Sequence, residues 1–308
     1  MTERAVGSSA RAMSWLEGTA RQRVAALVDP GSFVEFVGPE QRAMSPHLRL
    51  FDLPEQFDDG IVVGRAALEG IPVLLAAQEG RFMGGSVGEV HGAKLLGLLR
   101  AARQLKRDVL ILFDTGGVRL QEANAGELAI SEIMRAVLEA RAEGVSVVGL
   151  IGGRAGCYGG GSLIAGTCSA LIISEHGRVG VSGPEVIETN QGVEEFDSRD
   201  RALVWRTMGG KHRYLIGGAD AFVDDEARDF RRAALVNLRG VPRGDMERVL
   251  RREQQRLAHR LERFRGARSG YDVWSELGIV APQRVPDLPT AAFLGQANDK
   301  REVADEAR

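Results

Sequence analysis

Val109-Leu110-Ile111-Leu112-Phe113-Asp114-Thr115-Gly116-Gly117-Val118-Arg119-Leu120-Gln121-Glu122, with Tyr158-Gly159-Gly160-Gly161-Ser162 further on, decides how this chain is read. Each glycine cluster comes after an apolar, strand-like run, 109–113 in one case and 145–151 in the other. Each also reads as the opening of a helix. A strand-to-helix turn made of glycine leaves backbone N–H groups unpaired and uncovered. Such groups favour negative charge, all the more at a helix N-terminus. Two of them aimed at one point suit a carbonyl oxygen that becomes anionic during a reaction.

Working outward, the spacing predicts a helix over 19–28, stopped by Asp29-Pro30-Gly31, and a strand over 33–37. Residues 38–59 read as a loop. Strands over 61–68 and 73–78 are joined by Glu69-Gly70, a hairpin signal. A glycine loop over 80–88 leads into an apolar helix over 89–105. Helix 123–142, strand 145–151, helix 160–166 and strand 170–173 follow. This alternation predicts an α/β protein of stacked layers. Beyond Ser182 the pattern turns helical, with amphipathic stretches over 225–238 and 245–265. The organisation expected is a main domain over 1–240, a helical extension over 241–280 and, over 281–308, a tail that is loose or drapes over a partner.

With 308 residues, 44% hydrophobic and 27% charged, the chain has material for a substantial core. A net charge of −2 argues against a broad nucleic-acid or anionic-membrane footprint. No apolar run is long enough for a bilayer, and residues 1–12 lack an apolar signal core. Cys157 and Cys168 have no metal-type spacing and fit a reduced cytoplasmic protein.

Several motifs compete. Gly84-Gly85-Ser86-Val87-Gly88 matches the G-x-S-x-G nucleophile elbow, and Asp114 with His176 or His212 stands in hydrolase order. The same loop equally serves as a bare segment that lets another molecule or backbone come near. No P-loop and no dinucleotide fingerprint occurs in the main clusters. His91 reads as a cap or core residue, Cys157 as packing, and Arg119 with Glu122 as a local ion pair.

Taken together, these motifs resemble the carboxyltransferase branch of the crotonase superfamily. Arg81-Phe82-Met83-Gly84-Gly85-Ser86-Val87-Gly88 is similar to the F-M-G-G-S-M-G segment of acetyl-CoA carboxylase β subunits. Thr115 to Glu122 is similar to their S-G-G-A-R-M-Q-E, and Val179 to Glu188 to their I-G-F-A-G-P-R-V-I-E. Asp29-Pro30-Gly31-Ser32-Phe33 matches their N-terminal D-P-G-S-F. Within the branch the chain most resembles malonate decarboxylase β subunits. It has the triple glycine 159–161, Glu185 where carboxylases have arginine, no Cys-x-x-Cys ribbon, and no second domain of the same kind.

The resemblance implies a crotonase-like fold of stacked β-β-α units with a helical C-terminal region. It implies decarboxylation of a malonyl thioester, with Val118 and Gly160 supplying the oxyanion N–H groups and Gly117 and Gly161 shaping the turns. Hydratases carry a glutamate where this chain has Leu163, which argues against water addition. Arg81, Gly84, Gly85 and Ser86 are the expected approach for a CoA-like arm, and Glu185 lies near the family's second glutamate position. No cofactor is expected to be held tightly and no metal is expected; the CoA-like arm of an acyl-carrier protein, or CoA itself, belongs to the substrate. Implied partners are a γ subunit, the acyl-carrier protein and an acyl-transferase subunit. Carboxyl transfer to biotin, a Ser86 hydrolase and a non-catalytic scaffold half stay open as alternatives.

Overall fold

The computed structural model describes residues 13–240 and 245–302. Readings that concern 1–12, 241–244 and 303–308 fall outside the described residues. The chain runs α1 (Ala20–Leu27), β1 (Val34–Glu35), α2 (Pro46–Leu50), β2 (Ile61–Leu68), β3 (Ile71–Gln78), α3 (Glu89–Leu105), β4 (Val109–Phe113), α4 (Asn124–Ala142) and β5 (Val147–Ile151). It continues with β6 (Cys157–Tyr158), α5 (Gly159–Thr167), β7 (Ala170–Ser174), β8 (Val179–Gly180), α6 (Pro184–Gln191), α7 (Arg201–Met208), α8 (Gly210–Leu215) and β9 (Ala221–Val223). The remaining helices are α9 (Ala227–Gly240), α10 (Met246–Arg263), α11 (Gly270–Glu276) and α12 (Thr290–Ala297).

Seven strands form one sheet in the order β1-β2-β3-β4-β5-β7-β9. The first three are antiparallel, and β3, β4, β5, β7 and β9 pair in parallel. The hairpin between β2 and β3 turns on Glu69 and Gly70, both at positive φ (49° and 74°), as a tight two-residue connection needs. Both faces of the parallel region are covered, so β4 is apolar throughout rather than alternating. Val109, Ile111 and Phe113 point into the core under α3, α4 and α5. Leu110 and Leu112 point into a second core with α1 and α9. A capping box from Thr19 and Gln22 starts α1, and Lys106 in a left-handed conformation ends α3.

A second, two-stranded sheet, β6 beside β8, stands apart from the main one. Nothing in the sequence signals it, because Cys157-Tyr158 is too short to show a period. The strand expected over 33–37 shrinks to two residues, and the expected loop over 38–59 holds α2, started by Ser45 and Pro46.

The tail departs most from expectation. Residues 282–302 are neither loose nor extended away. Val285, Phe293 and Ala297 are buried in the main core, and Phe293 stacks edge-on with Phe222 at 4.8 Å. Lys211 Nζ donates to the carbonyls of Pro286 and Leu288 at 2.7 and 2.8 Å, and the Glu302 amide donates to Leu215. A few well-placed apolar residues suffice to dock a segment whose overall composition is polar. By contrast α10 buries no residue; Arg256 and Arg260 tie it to the carbonyls of Gly217 and Ile216.

Candidate active site

The two glycine turns meet. Thr115 and Cys157 form a parallel bridge; the Thr115 amide donates to Gly156 and the Tyr158 amide to Thr115, at 2.8 and 2.9 Å. The segments therefore run side by side out of their strands. A Cβ placed on Gly117 would stand 3.3 Å from the Cα of Gly159 and 3.3 Å from the Tyr158 carbonyl oxygen. Gly117 has φ +127° and Gly159 +53°, so glycine is required on both counts at Gly117. Gly160 and Gly161 are buried: a Cβ there would meet Ile130 at 2.6 Å and Thr115 at 2.3 Å.

Among the described residues, neither the Val118 amide nor the Gly160 amide has an acceptor. Val118 sits between two ladder bonds, Val87 N–H to Gly117 O at 2.8 Å and Arg119 N–H to Val87 O at 3.0 Å, which leave its own N–H pointing away from that ladder. Gly160 lies in the first turn of α5, where amides have no intrahelical partner. A Cβ on Gly160 would lie 3.0 Å from Val118 Cγ2, so the two residues are immediate neighbours.

Only the second turn opens an α-helix directly. After Gly117 the chain first makes a short 3₁₀ turn, Leu120–Glu122, passes through Ala123 at φ 45°, and then enters α4 at Asn124. A buried ion cluster holds this segment. Arg119 Nη1 reaches Glu122 at 2.6 Å and both oxygens of Asp59 at 3.1 and 3.2 Å; its Nη2 donates to the Ser86 carbonyl at 3.3 Å. Glu122 also accepts the Glu89 amide at 2.6 Å. Burial raises the pKa of Asp59 despite Arg119. For Glu122 burial acts in the same sense, but the Glu89 amide and Arg119 outweigh it and the pKa falls. The local Arg119–Glu122 pair read from sequence is thus present, but Asp59 is invisible to that reading, since 60 residues separate it from Arg119.

The 80–88 loop serves mainly to brace this arrangement. Gly85, at φ +67°, is pressed against β4: a Cβ would be 1.8 Å from the Asp114 carbonyl oxygen. Its place is set by the fold, so a side chain there would disturb packing, whatever part the residue plays in the approach of an arm. Gly84 is exposed, meets nothing within 4 Å, and accepts the Gly116 amide at 2.7 Å. Arg81 is exposed and donates to the Glu17 carbonyl at 2.8 Å. Ser86 donates to the Met83 carbonyl at 2.8 Å, and no histidine among the described residues bonds to it. Asp114, the acid a hydrolase would need, is instead committed to Arg23 at 2.7 Å and to the Ala155 amide at 2.7 Å. Glu185 is exposed in the first turn of α6, near the Tyr158 ring. His91 is fully buried between Gln78 and Asp59, and burial lowers its pKa to about 3. Cys157 is buried with its thiol pKa well above the usual value, as packing demands. A cavity between α7, α8 and the tail, lined by Glu175, Trp205, Lys211 and Trp274, includes none of the turn residues.

The chain belongs to the carboxyl transferase family, whose domain matches residues 17–272. More particularly, it resembles the malonate decarboxylase group. It is 39% identical to the malonyl-S-ACP:biotin-protein carboxyltransferase of Malonomonas rubra, over 92% of this chain and 95% of that protein. It is 31% identical to the acetyl-coenzyme A carboxylase carboxyl transferase subunit beta of a Synechococcus strain, over 56% of this chain and 58% of the relative. Among solved structures it is similar to a chain of the Pseudomonas malonate decarboxylase hetero-tetramer in complex with malonate, with a TM-score of 0.75 and 42% identity over 80% of this chain and 92% of that one. A chain of the Pseudomonas malonate decarboxylase hetero-dimer gives 0.64 and 38%, covering 80% and 96%. The crotonase-like fold and the likeness to malonate decarboxylase and carboxylase β subunits are both upheld.

Proposed function

We propose that this chain is the carbon–carbon bond-cleaving subunit of a malonate decarboxylase complex. In this reading a malonyl thioester, carried on the CoA-like arm of an acyl-carrier protein, presents its carbonyl oxygen to the N–H groups of Val118 and Gly160. The bond between the methylene and the carboxylate breaks, CO₂ departs, and the electron pair moves into the thioester as an enolate. A proton then yields the acetyl thioester. Preorganised amides stabilise the developing oxyanion more than the starting carbonyl, and one such donor is worth about 3–4 kcal/mol. The observation that carries the reading is the contact of Gly117 with Gly159, which sets two acceptor-free amides on adjoining turns. The exposed Gly84, with open space before it, suits the approach of the arm, while Gly85 and Ser86 are turned to internal duties.

A γ subunit, the acyl-carrier protein and an acyl-transferase subunit are the partners this reading requires. Support comes from the similar Pseudomonas chains, which occur in a hetero-dimer and a hetero-tetramer. The elements following the two turns also carry apolar side chains facing outward: Leu120 is 82% exposed, Leu128 64% and Leu163 42%. Isolated exposed leucines are ordinary; three on elements bordering one site suit a covering subunit. The buried free thiols Cys157 and Cys168 suit a reducing, cytoplasmic setting, and no helix among the described residues is long and apolar enough to cross a membrane.

A second reading is carboxyl transfer to biotin, favoured by the name of the Malonomonas rubra relative. Both readings share the enolate and differ in what receives the carboxyl group. Malonyl thioester labelled in its free carboxylate, incubated with the assembled complex with and without biotinylated acceptor, separates them. Label released as CO₂ without acceptor supports decarboxylation; label retained until acceptor is added, then found on biotin, replaces it with transfer.

A further inference from the structure

Three hydrogen-bond donors beside the second glycine turn are buried and have no acceptor among the described residues: Tyr158 Oη, Arg178 Nε and Arg213 Nε. Tyr158 is 5% exposed and immediately precedes Gly159. The backbone brings the three residues near one another. Cys157 N–H donates to the Arg178 carbonyl at 2.8 Å, Arg178 forms a bridge with Gly209, and Arg213 N–H donates to the Gly209 carbonyl at 2.9 Å, one helical turn on. Arg178 has another commitment, since its Nη2 donates to the Arg154 carbonyl. Arg213 Nε has no partner among the described residues.

The charges around these groups set their preference. Burial, then the neighbouring Arg260, lowers the Arg213 pKa to about 10, which leaves it cationic at neutral pH. Burial raises the Tyr158 pKa, which keeps its phenol a donor. Glu185 is the acidic group at the rim: a Cβ on Gly183 would lie 3.8 Å from its Oε2 and 4.0 Å from Tyr158 Cγ. Arg213 is half-buried with its Nε shielded, and an unpaired buried N–H or hydroxyl is costly. Two unpartnered guanidinium N–H groups beside an unpartnered hydroxyl favour an anionic acceptor. A carboxylate matches the guanidinium fork, and the nearby Glu185 penalises a dianion more than a monoanion.

We propose that Arg213 and Tyr158 form a subsite for the free carboxylate of a dicarboxylic acyl group held at the second glycine turn. The assignment rests on the proposed function for the presence of an acyl thioester at that turn. It makes Arg213 the residue that separates malonyl from acetyl groups.

Equilibrium binding of malonyl-CoA and acetyl-CoA to the full chain tests it, in wild type, Arg213→Gln, Arg213→Lys and Tyr158→Phe. The wild type is expected to prefer malonyl-CoA by about tenfold or more, the usual range for a hydrogen bond to a charged group. Arg213→Gln removes the preference and leaves acetyl-CoA affinity unchanged. Arg213→Lys keeps part of it, and Tyr158→Phe lowers it by about threefold. No malonyl preference in the wild type, a preference that survives Arg213→Gln, or equal loss of both ligands overturns the subsite. So does inorganic phosphate displacing malonyl-CoA better than free malonate does. If the complex neither releases nor transfers the carboxyl group but the preference still follows Arg213, the function fails and the subsite stands. If the complex turns over but its preference is independent of Arg213, the function stands and the subsite fails.

Discussion

Gly117 and Gly159 touch through their backbones: a Cβ on Gly159 would lie 3.2 Å from the Cα of Gly117 and 3.9 Å from the Val118 nitrogen. Any side chain at either position would wedge the two turns apart. Close approach of two bare turns explains why both clusters are glycine and why they stand 42 residues apart in the chain, since each closes a separate crossover of one parallel sheet.

Gly160 offers a direct measure of what its amide contributes. Gly160→Ala adds a Cβ that meets Ile130 and Val118 side chains but keeps the N–H. Gly160→Pro adds a comparable bulk and deletes the N–H, at a first-turn position where proline is tolerated. With thermal melts confirming folding, kcat of the proline variant should fall about 10²–10³-fold below the alanine variant. Equal rates for the two would falsify the assignment of this amide.

Gly84 and Gly85 are adjacent and should behave oppositely. Gly85→Ala drives a Cβ to 1.8 Å from the Asp114 backbone and is expected to cost more than about 4 kcal/mol, seen as loss of soluble protein or of the cooperative melt. Gly84→Ala meets no atom within 4 Å and carries only the left-handed backbone cost of roughly 1–2 kcal/mol. A silent Gly85→Ala in denaturant titration contradicts the packing described here.

His91 gives the protein an acid-sensitive element. Burial first, then Arg119, lowers its folded pKa to about 3, whereas the unfolded chain takes up the proton near 6.5. Its contribution is therefore full above 6.5 and lost progressively as pH falls towards 3. Each proton taken up on unfolding steepens the decline by about 1.4 kcal/mol per pH unit. Urea unfolding from pH 6.5 to 5 should show a slope in His91→Gln shallower by about one proton; an unchanged slope places the titration elsewhere.

Phe293 tests whether the C-terminal segment is part of the folded unit. It is 1% exposed and packs against Phe222 and Tyr214. Phe293→Ala should cost about 3–5 kcal/mol in global stability, read as a shift of the urea midpoint at unchanged slope. A loss confined to a separate early transition would make the segment an independent appendage.

Much of this protein is legible in its residues. Helix 89–105 and strand 109–113 coincide with the structure, because a long apolar period and a short β-branched run are local signals. The glycine turns are legible because positive φ and uncovered amides demand glycine wherever they occur. The described part of the 281–308 segment, expected to be loose or to drape over a partner, docks on the chain's own core at 282–302; Val285, Phe293 and Ala297 are too sparse to form a period, yet each fills a place in a core built by residues far upstream. Asp59 with Arg119 and Asp114 with Arg23 are beyond reach for the same reason. What the sequence by itself determined is the set of elements and the bare turns, since these depend on neighbours within a few residues. Only the tertiary structure decided that the turns abut, that Gly85 is a packing residue, and which buried charges are paired, because those depend on distances between segments that the chain order does not encode.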